Sequence, residues 1–160
     1  MEIKNTEIIL GQGFDEIKFG ITRDNLEQLF GAPDEVEEFA TEESEDAVSE
    51  AWHYDEPEIS FSFDKEDDWK LGTVSVSNAD FTLNGKNVFG LNKENLLATL
   101  KELNITDLEE EKWLNEDGDD GIEQELVSSL DKSINFWLTG GVVTEIQWGP
   151  FYNDEGPIWA

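Results

Sequence analysis

At 160 residues the chain has the length of one ordinary domain, long enough to bury roughly two-thirds of its unfolded surface, and ten Phe, six Trp and two Tyr supply apolar bulk for a core. Thirty-nine acidic against ten basic residues leave a formal net charge of -29, a field that repels phosphate backbones and anionic lipid and so argues against nucleic-acid and membrane partners. With no cysteine there is no disulfide frame, thiol nucleophile, lipid-anchoring Cys or Cys-ligated zinc, and no apolar run approaches the ~20 residues of a membrane span.

The first residues, Met1 to Glu7, have no signal-peptide apolar core, so the expected location is cytoplasmic, with a processed secreted form as the other reading. Residues 2 to 18 read as one or two short strands around a Gly11-Gln12-Gly13 turn. A short helix follows with its ends written in: Thr22 as N-cap, Asp24 in the first turn, and Gly31 then Pro33 as the stop. Leu26, Leu29 and Phe30 give it one apolar side. The acidic stretch from Asp34 to Glu50 reads as a solvated loop with a strand open at 35 to 40.

Period-two patterning is clearest next. Glu50 to Tyr54 and Glu58 to Asp64 read as strands around an Asp55-Glu56-Pro57 turn, and Leu71 to Ser77 as a third. Ile59, Phe61, Phe63, Val74 and Val76 share one face, while Ser60, Ser62, Thr73, Ser75 and Ser77 share the other. After a linker near Ala79 to Lys86, Phe89-Gly90-Leu91 and Asn92, Asn95 and Leu96 echo Phe19-Gly20-Ile21 and Thr22, Asn25 and Leu26. A helix from Asn92 to Leu103, an acidic segment from Asp107 to Asp120, and strands at Ile122 to Ser129, Ser133 to Leu138 and Val142 to Trp148 complete a second unit. The expected organisation is a single domain, 1–160, with one unit about 14–80, a second about 81–152, and an irregular tail at 153–160.

The stretches FGITRDNLEQLFGAPDEVEE, AWHYDEPEISFSFD and LGTVSVS resemble the SmpA/OmlA (BamE-like) domain, through Gly20, Leu26, Gly31, Pro33, Trp52 and Tyr54. In the second unit Gly31 and Pro33 fall on Lys101 and Leu103. Two such units in tandem are similar in architecture to β-lactamase inhibitory protein. The resemblance implies an α+β fold of two tandem helix-plus-antiparallel-meander units forming one sheet with helices on one face, and a sheet used to bind another protein. Outer-membrane assembly and β-lactamase inhibition are not carried over, since the chain has neither a lipid-anchoring Cys nor a signal.

Trp137 breaks the alternation. With Phe136 and Leu138 on the core face it falls on the polar face beside Asn135, Glu145 and Gln147, the composition of a binding hot spot. Coverage by a loop or by the Trp159 tail, or a register one residue off, is the competing reading. His53, between Trp52 and Tyr54, shares that face with Ser60, Ser62 and Ser75 and reads as part of the same surface. The Asn115 to Gly121 loop fails an EF-hand pattern at Asp120 and Leu126 and reads as a solvated turn, as does the loop of Asp64, Glu66, Asp67 and Asp68. No Gly-rich phosphate loop, Ser-His-Asp set or metal-spaced His pair is present, so neither catalytic residues, metal nor cofactor are expected. The expected function is a non-enzymatic acidic protein-binding domain with a basic protein partner, an immunity protein or inhibitor of a basic toxin or enzyme. The alternatives are a nucleic-acid mimic, a carboxylate-based or metal-dependent hydrolase, or a structural accessory domain; the oligomeric state stays open.

Overall fold

The computed structural model describes residues 4–40, 46–113 and 124–159. The loop from Asn115 to Gly121, the Glu42 to Glu45 part of the first acidic stretch and the Ile122 start of an expected strand lie outside the described residues. In chain order the elements are β1 (Glu7–Ile8), β2 (Gly13–Phe14), β3 (Ile17–Lys18), α1 (Arg23–Phe30), β4 (Glu35–Ala40), β5 (Ala47–Tyr54), β6 (Ile59–Asp64), β7 (Lys70–Val76), β8 (Thr82–Leu83), α2 (Lys93–Glu102), β9 (Leu108–Trp113), β10 (Gln124–Ser129), β11 (Ile134–Thr139), β12 (Val142–Trp148), β13 (Phe151–Asn153) and β14 (Gly156–Ile158).

Alternation sets the large sheet. β6 buries Ile59, Phe61 and Phe63 and leaves Ser60, Ser62 and Asp64 half-buried, and β11 does the same with Ile134, Phe136 and Leu138 against Asn135 and Trp137. Eight strands join in the order β4-β5-β6-β7-β12-β11-β10-β9. The seam lies between β7 and β12, where Val74, Ser75 and Val76 pair with Trp148, Gln147 and Ile146. One face carries the core. On it Phe14 stacks on Phe61 with centroids 6.2 Å apart and meets Phe30, Phe81 and Trp148 edge-on, so the β2–β3 hairpin, α1 and the linker all close over the same sheet.

The helices are short covers. Thr22 and Asn92 cap them through the amides of Asn25 and Asn95, and each helix buries two side chains, Leu26 and Phe30 in α1 and Leu96 and Leu100 in α2. The Phe-Gly echo in the sequence is their anchor to the sheet. Gly20 N–H donates to Leu71 O and Leu71 N–H to Ile21 O, at 2.9 Å each, while Gly90 N–H donates to Val143 O and Val143 N–H to Leu91 O, at 3.0 Å each. Gly20 and Gly90 take φ of 98° and 81° to make that turn, which a residue with a Cβ adopts only under strain.

These observations correct the expected fold class. Strand accounts for 50% of the described residues and helix for 15%, so the fold is mainly β, with one eight-stranded antiparallel sheet and two small helices, rather than an α+β pair of tandem helix-plus-meander units. The physical reason lies in the acidic segments. Both hold strands, β4 and β9, which form the two edges of the sheet, and the helices contribute only two buried residues each to one continuous core. The tail is also more ordered than expected: β13 and β14 pair as a hairpin, and Phe151 packs so closely on Gly11 that a Cβ there would lie 2.5 Å from its ring.

Candidate functional site

The face of the sheet opposite the core is a polar plane. Its central row can be followed strand by strand through the register: Glu35 beside His53, then Ser60, Ser75, Gln147, Asn135, Ser128 and Glu109. One row to one side lie Trp137 and its partner Glu145, and one row to the other lie Ser62 and Thr73. The register thus places His53, Ser60, Ser75, Gln147 and Asn135 in one line, with Trp137, Glu145 and Ser62 flanking it. Both ends of the line are acidic.

Trp137 is half-buried on this plane, and its Nε1–H donates to Gln147 Oε1 at 3.0 Å. That bond lays the indole toward the seam. Trp159 does not cover it: Trp159 packs against Gly20, with Lys70 Nζ 5.6 Å from its ring, at the end of β7 remote from the level of Trp137. The side chains of Ser62, Thr73, Ser75, Ser128 and Asn135 form no hydrogen bond with any described residue, so the plane offers donors and acceptors to whatever lies against it.

His53 is held between two neighbours. Its Nδ1 lies 2.7 Å from Ser60 Oγ, and its Nε2 lies 2.7 Å from Glu37 Oε1, near enough for an ion pair when the ring is charged but out of line for a hydrogen bond, so that buried nitrogen has no hydrogen-bond partner. A Ser-His-Glu line was not visible in the sequence, because Glu37 belongs to an acidic run in which no one carboxylate is marked out. The cavities described on this surface are not lined by His53 or Ser60, and Ser60 pairs with His53 in the β5 ladder and with Ser75 in the β7 ladder. What the arrangement does is fix the imidazole on the plane.

Near the seam, a cleft of 420 Å³ opens beside Gln147 and Asn135, walled by Tyr152. The hairpin loop after β6 lies close by. Burial, then Asp67 and Asp64, push the Tyr152 phenol above its ordinary range. Burial and the charges of Asp64, Glu66 and Asp68 raise the carboxyl of Asp67, against a smaller opposing effect of Lys70. Among the described residues no group of three or more His, Cys, Asp or Glu is placed to hold a metal ion.

The chain matches no protein-family model and no curated protein. A solved structure described as an extracellular protein containing a SCP domain, from Bacillus anthracis str. Ames, superposes with a TM-score of 0.46 at 14% identity, over 82% of this chain and 43% of that one. This chain thus spans less than half of that protein, and a likeness at this level carries no functional argument. The BamE-like and β-lactamase-inhibitory-protein resemblance is corrected accordingly: no family model supports it, and one eight-stranded sheet with two minor helices is not that tandem repeat. The comparisons lend the cytoplasmic expectation no support, and no described helix is long and apolar enough to cross a membrane.

Proposed function

We propose that this chain is a non-enzymatic, acidic protein-binding domain that lays its open sheet face against a basic protein, and in its most concrete form an immunity protein or inhibitor that occludes a basic active site. The observation that carries the reading is the polar row across eight strands with Trp137 half-buried beside it. Small unpartnered hydroxyls and amides around a large aromatic are what a desolvated anchor within a hydrogen-bonding rim requires. The charge of -29 accelerates encounter with a basic surface and disfavours a second copy of the chain.

The test begins with affinity capture from the source organism, identification of the retained protein, and its reconstitution in purified form. A basic protein that binds wild type and dissociates about 30-fold more readily from Trp137→Ala is the expected result, a loss of about 2 kcal/mol. Binding that ignores Trp137 and disappears in moderate salt would replace this reading with a nonspecific charge effect.

A further inference from the structure

At the seam the open face is not flat. Gly72 and Gly149 carry no side chains, and their backbones approach so closely that a Cβ on Gly149 would stand 2.8 Å from Gly72 O. The space left above them is the 420 Å³ cleft, and it has mixed walls. Leu130, 75% exposed, gives an apolar flank, and Tyr152, 62% exposed, an aromatic one. Thr73, Ser133 and Asn135 line the polar side, and none of their side chains has a hydrogen-bond partner among the described residues. No Lys or Arg is among the lining residues.

The carboxylates near the cleft have two lysines among them, Lys70 opposite Asp64 in the β6–β7 ladder and Lys132 paired with Asp131 at 3.8 Å. Asp64 and Asp67 lie close enough to Tyr152 to hold its proton more firmly, and Asp64 is fixed by the Ser49 hydroxyl, which donates to it at 2.8 Å. A cation entering here meets neutral oxygens spread over the lining, which includes no carboxylate. That geometry separates the two basic side chains. A lysine ammonium is a compact, strongly hydrated point charge that needs a direct carboxylate contact to offset its dehydration, whereas a guanidinium is planar, weakly hydrated and distributes five N–H donors over separate acceptors. Its aliphatic stem also matches an apolar flank, and its plane can stack on a tyrosine ring.

We infer that the cleft receives an arginine side chain of the bound protein, its stem along Leu130, its plane against Tyr152, and its donors on the oxygens of Thr73, Ser133 and Asn135. The inference rests on the open face being the docking surface, and it adds the residue type that this surface selects.

The test uses the full chain and three blocked tripeptides, Gly-Arg-Gly, Gly-Lys-Gly and Gly-citrulline-Gly, titrated into labelled protein to millimolar concentration and followed by NMR. The arginine peptide is expected to shift the side-chain amides of Asn135 and Gln147 saturably, the lysine peptide to bind about tenfold more weakly, and the uncharged citrulline peptide not to bind. Tyr152→Ala, at an exposed position, should weaken the arginine peptide several-fold with the rest of the spectrum unchanged. Equal binding of arginine and lysine peptides, or no saturable shift at Asn135 and Gln147, overturns the inference. The two readings fail separately: a basic protein that binds wild type and Tyr152→Ala alike but needs Trp137 leaves the docking face standing and removes the arginine cleft.

Discussion

Tyr54 shows how one side chain ties the site to the fold. It is buried on the core side of β5, packs edge-on against Phe30 with centroids 4.9 Å apart, and its hydroxyl donates to Gly31 O, the carbonyl at the end of α1, at 2.7 Å. Burial first, then Glu27 and Asp34, push the phenol from 10.0 up to about 12. Because the folded value is the higher one, this contribution to stability is complete below pH 10 and is lost as pH rises through about 12. Tyr54→Phe should cost about 1 kcal/mol at neutral pH in urea unfolding, for the lost hydrogen bond, and should flatten the fall in stability over that alkaline window. A wild-type stability that stays level across the window would contradict this account. At this scale the sequence was informative about direction: alternation alone sets Trp137 opposite Phe136 and Leu138. It was silent about pairing, since nothing in the run Glu35-Val36-Glu37-Glu38 marks Glu37 as the neighbour of His53.

Elements with one buried face were legible; of those without one, the strand left open at 35 to 40 is β4, while β9 went unread. Every residue of β4 is exposed, so no hydrophobic period distinguishes that strand from a loop, and the Glu109-Glu110-Glu111 run of β9 hides its strand in the same way. Such charged edges resist pairing with another copy, the form in which an edge strand is safest in solution. The helices show the opposite case, with caps and stops readable but with their attachment to the sheet hidden. α1 begins with Arg23, whose Nη1 lies 3.0 Å from Glu50 Oε2 and whose guanidinium sits 4.5 Å above the Trp69 ring. α2 begins with Lys93, which pairs with Glu125 at 3.2 Å and also with Glu110, two contacts that raise its pKa, the Glu110 hydrogen bond most of all. Arg23→Ala leaves Glu50, whose side chain is 12% exposed, with the Trp52 indole N–H but without its cation, and removes the ring contact. Thermal unfolding should show a loss of about 1 to 2 kcal/mol, part of which Arg23→Lys restores. No loss would mean that α1 is held by Leu26 and Phe30 alone.

For the molecule as a whole, composition set limits and pattern set strands, but neither set the class. Period-two runs such as Ile59 to Asp64 are common to any antiparallel sheet with one wet face, so they could not distinguish an α+β pair of tandem units sharing a sheet from a mainly β fold of eight strands over one core. The capped helix and the Trp52-His53-Tyr54 strand are equally local features. What decided the architecture was the pairing of β7 with β12, a contact between residues some seventy positions apart that no local pattern announces. Net charge does act at this scale. A formal charge of -29 on one compact chain is a self-repulsion that salt screens, so the thermal midpoint should rise by several degrees between low salt and about 0.5 M sodium chloride. A midpoint that falls or stays constant would mean that the carboxylates are already offset by local pairing.

The same charge and the open plane meet in the claim that the face around Trp137 is where a basic protein binds. Calorimetric titration of the purified partner into wild type, Trp137→Ala and Leu29→Ala tests this most directly, because Leu29 is 45% exposed on α1, on the covered side of the sheet. The account predicts a loss of about 30-fold for Trp137→Ala and wild-type affinity for Leu29→Ala. Loss at Leu29 with none at Trp137 would contradict it and move the docking surface to the helix side.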